Sequence, residues 1–140
     1  MEYCGIGPQE SYVDRCRSGK YGLYLTDIEK LHEDYIRPQE NGSHCGCDYV
    51  RLMGDGVILT AATADRNTFS FNVSRYTQEE LESKRHNYEL EPCGNTVLCL
   101  DHRMAGIGSR SCGPELSEEY CVSEDSFQFG FYIRPEVIQG

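Results

Sequence analysis

The sequence predicts an all-β fold, a β-sandwich with one short helix, and three observations carry that expectation. β-rich runs are many and short, and turn residues recur roughly every eight to twelve positions between them. Apolar and polar residues alternate along Phe69-Ser70-Phe71-Asn72-Val73, and Val97, Cys99 and Asp101 alternate with Leu98, Leu100 and His102, the period of a strand. Only one stretch, opening at Thr77, carries a convincing helix signal, and 140 residues make a single domain, residues 1–140.

Tyr3 to Gly7 reads as the tail of a strand running into Gly7-Pro8, so abrupt a beginning that Met1 is not expected to be a natural start. After Gly7-Pro8-Gln9-Glu10-Ser11-Tyr12 a polar, loop-like segment follows to Lys20, then the short aromatic run Tyr21 to Leu25. Asp27 to Asp34 has room for one or two helical turns capped by Thr26 or Asp27, and Arg37 ends any helix because the residue before Pro38 avoids the helical region. Pro38-Gln39-Glu40-Asn41-Gly42 is a turn, since Asn and Gly tolerate left-handed conformations. Cys47 to Met53 and Val57 to Ala62 form a hairpin through the three-residue connection Gly54-Asp55-Gly56. Phe69, Phe71 and Val73 share one face of a half-buried strand.

Thr77-Gln78-Glu79-Glu80 has the reciprocal capping pattern that starts a helix, expected to run to about Arg85. His86 to Leu90 alternates as a strand, and a turn at Pro92 to Asn95 leads into the strand that ends near His102. Glu119 to Ser123 and Phe127 to Ile133 close the chain as a hairpin around Glu124-Asp125.

The bulk numbers exclude several functions. A net charge of −10 with acidic residues spread along the chain argues against nucleic acid, which needs a clustered basic face. No apolar run approaches the ~20 residues that cross a bilayer, and Met1-Glu2-Tyr3-Cys4-Gly5 lacks the basic and apolar parts of a signal peptide, so a soluble chain without membrane contact or export address is expected. The length is too short for a barrel of about 250 residues. Eight cysteines would suit a disulfide scaffold in a secreted protein, but the expectation here is free, mostly buried thiols acting as small apolar groups. Cys45-Gly46-Cys47 and Cys93 to Cys99 lack zinc-knuckle spacing, although His44 and His102 keep a metal site open as the weaker reading.

The loop from Gly106 to Pro114 is the main candidate site. Gly106 and Gly108 tolerate positive φ and Pro114 fixes its own, so the loop holds one shape and presents Ser109, Arg110, Ser111 and Cys112. Those side chains either hydrogen-bond a hydroxylated ligand or cap the end of a sheet. Adjacent acids such as Glu33-Asp34, Glu79-Glu80 and Glu118-Glu119 point apart on a strand, cannot flank one bond, and are read as solvated. Glu40, set in its turn beside Gln39, Asn41 and His44, binds a sugar or satisfies buried backbone, the second being favoured. His102 with Cys112 is the weakest reading, a nucleophilic pair without an evident base. No catalytic residue is assigned.

Four ordered segments carry a resemblance: Gly5-Ile6-Gly7-Pro8-Gln9-Glu10-Ser11-Tyr12-Val13-Asp14-Arg15, Tyr35-Ile36-Arg37-Pro38-Gln39-Glu40-Asn41-Gly42, Phe69-Ser70-Phe71-Asn72-Val73-Ser74-Arg75-Tyr76-Thr77, and Met104-Ala105-Gly106-Ile107-Gly108-Ser109 with Cys112-Gly113-Pro114. Over nearly the whole chain the sequence resembles the C-terminal part of the large bacterial β-galactosidases of glycoside hydrolase family 2. The resemblance implies roughly the second half of that family's last domain, a galactose mutarotase-like supersandwich. It also implies that the two catalytic glutamates and the magnesium ligands lie in a central barrel outside this chain, which itself carries no cofactor and no activity.

The implied partners are the remainder of the β-galactosidase chain and a β-galactoside, in the cytoplasm. In the family the last domain lends the active site one loop, often tipped by a tryptophan stacked on the sugar beyond the scissile bond. Here the matching place holds Cys112 in a loop one residue shorter, which leaves aglycone-side contacts to Ser109, Arg110, Ser111 and Cys112. Half a sandwich also leaves edges and apolar faces uncovered, so self-association is expected. Two other functions stay open: a free-standing carbohydrate-binding module, and a mutarotase-like enzyme using His44 and Glu40.

Overall fold

The computed structural model describes residues 1–64, 67–106 and 112–138. Among them are eight strands: β1 (Glu2–Gly7), β2 (Lys20–Leu25), β3 (His44–Cys47), β4 (Tyr49–Gly54), β5 (Val57–Thr63), β6 (Phe69–Ser74), β7 (Val97–Asp101) and β8 (Phe131–Val137). One α-helix, α1 (Gln78–Ser83), joins them among the described residues. The strands form a five-stranded sheet in the order β2-β1-β4-β5-β8 and a three-stranded sheet in the order β3-β6-β7, every pair antiparallel. The chain is an all-β sandwich, as its pattern of short strands predicts.

The core lies between the layers. Tyr3, Val50 and Ala61 enter it from the larger sheet, Cys47, Phe69, Phe71 and Val73 from the smaller, and Leu31 from a 3-10 turn at Ile28–Leu31. Tyr3 is its centre: its ring meets Phe71 edge-on at 5.3 Å between centroids and stacks on Tyr24 at 5.1 Å. Such aromatic pairs add about 1 kcal/mol each beyond the area they bury.

Several elements differ from the sequence reading for identifiable reasons. β4 closes on β5 at Gly54 and Val57, leaving the two-residue turn Asp55-Gly56, both left-handed at φ 52° and 74°, the geometry whose twist suits a hairpin. β6 is buried on both faces, not half-buried, because the turn at Asn41 covers its outer side and accepts a hydrogen bond from Asn72. His86 to Leu90 is not a strand but contains a 3-10 turn at Asn87–Glu89. The Glu89 carboxylate accepts from the backbone N–H groups of Arg85 and His86, both at 2.9 Å, a local satisfaction that replaces a ladder.

Glu119 to Ser123 is likewise no strand. A 3-10 turn at Glu118–Tyr120 uses its amides locally, and β8 pairs with β5 rather than with a hairpin partner. Thr77 caps α1 as expected, its hydroxyl accepting from Glu80 N–H at 3.2 Å. Glu80 does not reach back; it accepts from Glu91 N–H at 2.8 Å and pairs with Lys84 at 3.4 Å, and the helix ends at Ser83. Glu10, Ser11 and Tyr12, ahead of the polar, loop-like segment that runs to Lys20, are buried.

Gly42 and Gly56 share a φ of +74°, but a Cβ at Gly42 would collide with the Leu31 carbonyl oxygen, whereas Gly56 faces open space. Gly56→Ala is therefore expected to cost about 1 kcal/mol for backbone strain alone, and Gly42→Ala about 3 kcal/mol because the collision adds to it. Urea unfolding of the two variants checks this; equal losses would show that only the dihedral matters.

Candidate functional site

The site is built outward from Glu10. Leaving β1 at Gly7, the chain turns back against the start of β3, where Cys45 N–H donates to the Ser11 hydroxyl, and the Glu10 side chain is only 3% exposed. A carboxylate so placed needs donors for both oxygens. Oε2 accepts from Tyr12 O–H at 2.9 Å and Gly42 N–H at 3.0 Å, while Oε1 accepts from Arg15 at 2.9 Å and from Tyr35 O–H. Burial by itself pushes the Glu10 carboxyl up, but Tyr35, the Gly42 amide, Tyr12 and Arg15 together outweigh it and hold it below the usual carboxylate range. The same burial, with Glu10's charge, pushes the Tyr12 phenol far up and keeps it a donor.

Neighbouring residues extend this knot. Ser11 N–H donates to the Ser43 carbonyl at 2.7 Å, its hydroxyl donates to the Ile6 carbonyl at 3.2 Å, and Cys45 N–H donates to that hydroxyl at 3.0 Å. Asn41 accepts from Glu33 N–H at 3.0 Å and donates to the Gln39 carbonyl at 3.0 Å. Val13 N–H then donates to the Met104 carbonyl at 3.1 Å, and the Asp14 carboxylate fills the space where a side chain on Gly106 would stand. Gly106 is thus required for close approach and not for a positive φ, which it does not adopt. The root of the candidate loop is fixed by residues some ninety positions earlier in the chain.

Of the predicted loop residues, Ser109, Arg110 and Ser111 lie outside the described residues, and Cys112 is an exposed free thiol. A groove of about 470 Å³ runs beside the loop root, with Ile6, Val13 and Phe69 as apolar lining and Ser70, His102, Arg103 and Tyr120 as polar lining. His102 stacks face to face on Phe127 at 4.6 Å, and Arg103 is ion-paired with Glu124. Among the described residues no hydrogen bond joins His102 to Cys112, and the groove presents donors and apolar surface to a ligand.

The structure separates the other sequence candidates. His44 is fully buried, stacked on Phe71 at 5.3 Å and tilted against Tyr3 at 4.6 Å, and its Nδ1–H donates to the Ile6 carbonyl at 3.2 Å. Burial lowers its basicity, keeping it neutral. Glu40 faces elsewhere and accepts from Gln78 at 3.1 Å, so His44 and Glu40 do not share a pocket; the carboxylate that His44 senses is Glu10. The Pro38 to Gly42 turn is satisfied by Asn41 and Glu10 rather than by Glu40. Asp101, at the end of β7, has its carboxyl pushed up by burial and by the charge of Glu40.

All eight cysteines are free, but only Cys45 and Cys47 are buried, not most of them as expected, and burial pushes those two thiols up. Among the described residues no three of His, Cys, Asp and Glu converge as metal ligands, and no helix is long and apolar enough to cross a membrane. Glu10 escaped the residue-by-residue reading because its four donors come from positions 12, 15, 35 and 42, a convergence without local spacing.

Residues 1–133 match a family model described as the beta galactosidase small chain. The chain is 47% identical over 131 residues to a β-galactosidase of Actinobacillus pleuropneumoniae, covering 94% of this chain and 12% of that protein. It is 39% identical over 137 residues to one of Staphylococcus xylosus, covering 96% and 13%, and 32% identical over 137 residues to one of Kluyveromyces lactis, covering 97% and 13%. The chain therefore spans 12 to 13% of the length of these curated relatives.

Because the folded-state carboxyl of Glu10 titrates below its ordinary value, its contribution to stability is full above the ordinary carboxylate range and is lost as the pH falls through the folded value. Glu10→Gln is expected to cost about 3 kcal/mol at pH 7 and to flatten the acid limb of stability, so that variant and parent converge near the acid end. Urea unfolding from pH 7 downward checks this; a constant gap at every pH would remove Glu10 as the titrating group.

Proposed function

Because the chain belongs to the β-galactosidase small-chain family, we propose that it is the non-catalytic sandwich portion of a retaining enzyme that hydrolyses terminal β-D-galactose residues in β-galactosides. In this reading residues 1–140 act as one unit, equivalent to the C-terminal half of the enzyme's last domain. They support a catalytic barrel carried by the rest of the polypeptide, in the cytoplasm. The observation that carries the reading is the match over nearly the whole chain to only 12 to 13% of each relative.

The chemistry agrees. Retaining hydrolysis needs two carboxyl groups about 5 Å apart across the glycosidic bond, one of them open to the sugar. The most deeply buried carboxylate among the described residues, Glu10, is saturated by four donors and has no capacity left for a substrate. The family's magnesium belongs with the barrel in this reading, and no step is assigned to it here. The loop after Gly106 supplies the rim of the aglycone side through Ser109, Arg110, Ser111 and Cys112, with Cys112 where other members carry a stacking tryptophan. A mutarotase-like reading loses its basis with the separation of His44 from Glu40.

The isolated chain is expected to show no hydrolysis of a nitrophenyl galactoside. Exchanged for the matching 131 residues of the A. pleuropneumoniae relative, it is expected to keep that enzyme active. In that chimera Arg110→Ala raises KM for lactose severalfold while leaving kcat for the nitrophenyl substrate unchanged, and turnover by the isolated chain would overturn the proposal. Alone at low micromolar concentration, the chain is expected to elute from size exclusion as a self-associated species; a clean monomer would count against that part.

A further inference from the structure

A second cleft of about 470 Å³ opens where the 3-10 turn at Ile28–Leu31 and the segment behind it meet the end of β6. It lies away from the candidate loop. Ser74, on the cleft, pairs with Val97 at the start of β7, whereas Ser70 pairs with Asp101 beside the loop root. Four residues of strand, at roughly 3.3 Å each, set the two places about 13 Å apart along β6.

The polar groups of the cleft are fixed by the fold. Arg75 donates from Nε to Glu29 Oε1 at 3.1 Å, meets the same oxygen with Nη2 at 3.0 Å, and donates from Nη1 to Thr96 Oγ1 at 2.8 Å, which holds the guanidinium plane from three corners. The His32 ring stands edge-on to Tyr76 at 5.2 Å. Its protonation follows from Asn41, whose Oδ1 accepts from Glu33 N–H at 3.0 Å and whose NH2 group donates to the Gln39 carbonyl at 3.0 Å. That NH2 group therefore faces His32 Nδ1, 3.5 Å away, and the neutral ring carries its proton on Nε2. Nε2 is buried and has no hydrogen-bond partner among the described residues; Asp34 Oδ1 stands 3.5 Å from it without bonding it.

We propose that this cleft binds a neutral pyranose sugar, with one ring hydroxyl bridging His32 Nε2–H and Asp34 Oδ1. A hydroxyl accepts and donates at once, and its oxygen can stand about 2.8 Å from both members of such a pair. An anion would meet the carboxylates of Glu29 and Asp34, and a cation would leave the His32 donor without an acceptor. Water would bridge the pair equally well, but it would gain nothing from the apolar surface of Ile28, Tyr76 and Pro92, against which the C–H face of a sugar ring can lie. The volume suits a small ligand, and the inference does not depend on the assignment to a β-galactosidase.

The test is amide NMR of the 140-residue chain titrated with methyl β-D-galactoside and methyl β-D-glucoside, with sulfate and methylammonium as charged probes. At least one glycoside is expected to saturate with a millimolar dissociation constant, shifting amides of residues 28–34 and 74–76, and neither ion is expected to move them. Asp34→Ala is expected to weaken binding at least about fivefold, and Asp34→Asn, which keeps an acceptor oxygen, to recover most of it. Urea unfolding of both variants is expected to match the parent, because the Asp34 side chain is 80% exposed. Failure of both glycosides to saturate by about 100 mM would overturn the proposal. So would saturation centred on residues 102–103, a stronger response to either ion, or full binding by Asp34→Ala.

Discussion

A carboxylate removed from water must find fixed donors or give up its charge, and Glu10 finds four of them in four different parts of the chain. Tyr12 and Arg15 come from its own segment, Tyr35 from beyond the 3-10 turn, and Gly42 from the turn leading into β3. Each partner is useful only if the others are in place, since a buried anion with one donor missing is worse than none at all. The knot therefore fixes how the segment after β1, the Pro38 to Gly42 turn and the entry to β3 sit relative to one another. The apolar core holds the two sheets together; the knot decides where the connections between them run.

The consequence reaches the loop root. Val13 and Asp14 lie just beyond Glu10 in the chain, and they clamp Met104 by a hydrogen bond and Gly106 by close contact. The segment leaving β7 is therefore positioned by the N-terminal segment and not by its own glycines. A scaffold that places a rim needs this kind of long-range restraint, because a loop held only by its own turn residues would keep its shape without keeping its direction.

Much of the fold was legible because periodic strands announce themselves. β1, the β4 and β5 hairpin, β6 and β7 all lie where alternation and turn residues put them, and Thr77 caps its helix. The errors came where a local side-chain interaction replaced a ladder that alternation alone suggested, as with Glu89 capping the turn after His86, or where amides were used within a turn, as at Glu118–Tyr120. The doubly buried face of β6 was unreadable for a different reason. Ser70 and Asn72 look like solvent residues until the Asn41 turn, thirty positions away, is laid over them. At the site, the loop was recognisable from its glycines, while Asp14 lay in a stretch whose composition reads as polar connection and Glu10 just ahead of it, its four donors scattered along the chain.

β7 joins the two ends of the functional reading. On one side it pairs with β6; its other side is the margin at which the smaller sheet stops short of the larger one. At its C-terminal end, Asp101 passes directly into His102 and Arg103 of the groove beside the loop. β6 holds one side of β7, and Val13 and Asp14 hold the segment beyond its C-terminal end, so the loop root is fixed from two directions by parts of the chain distant in sequence.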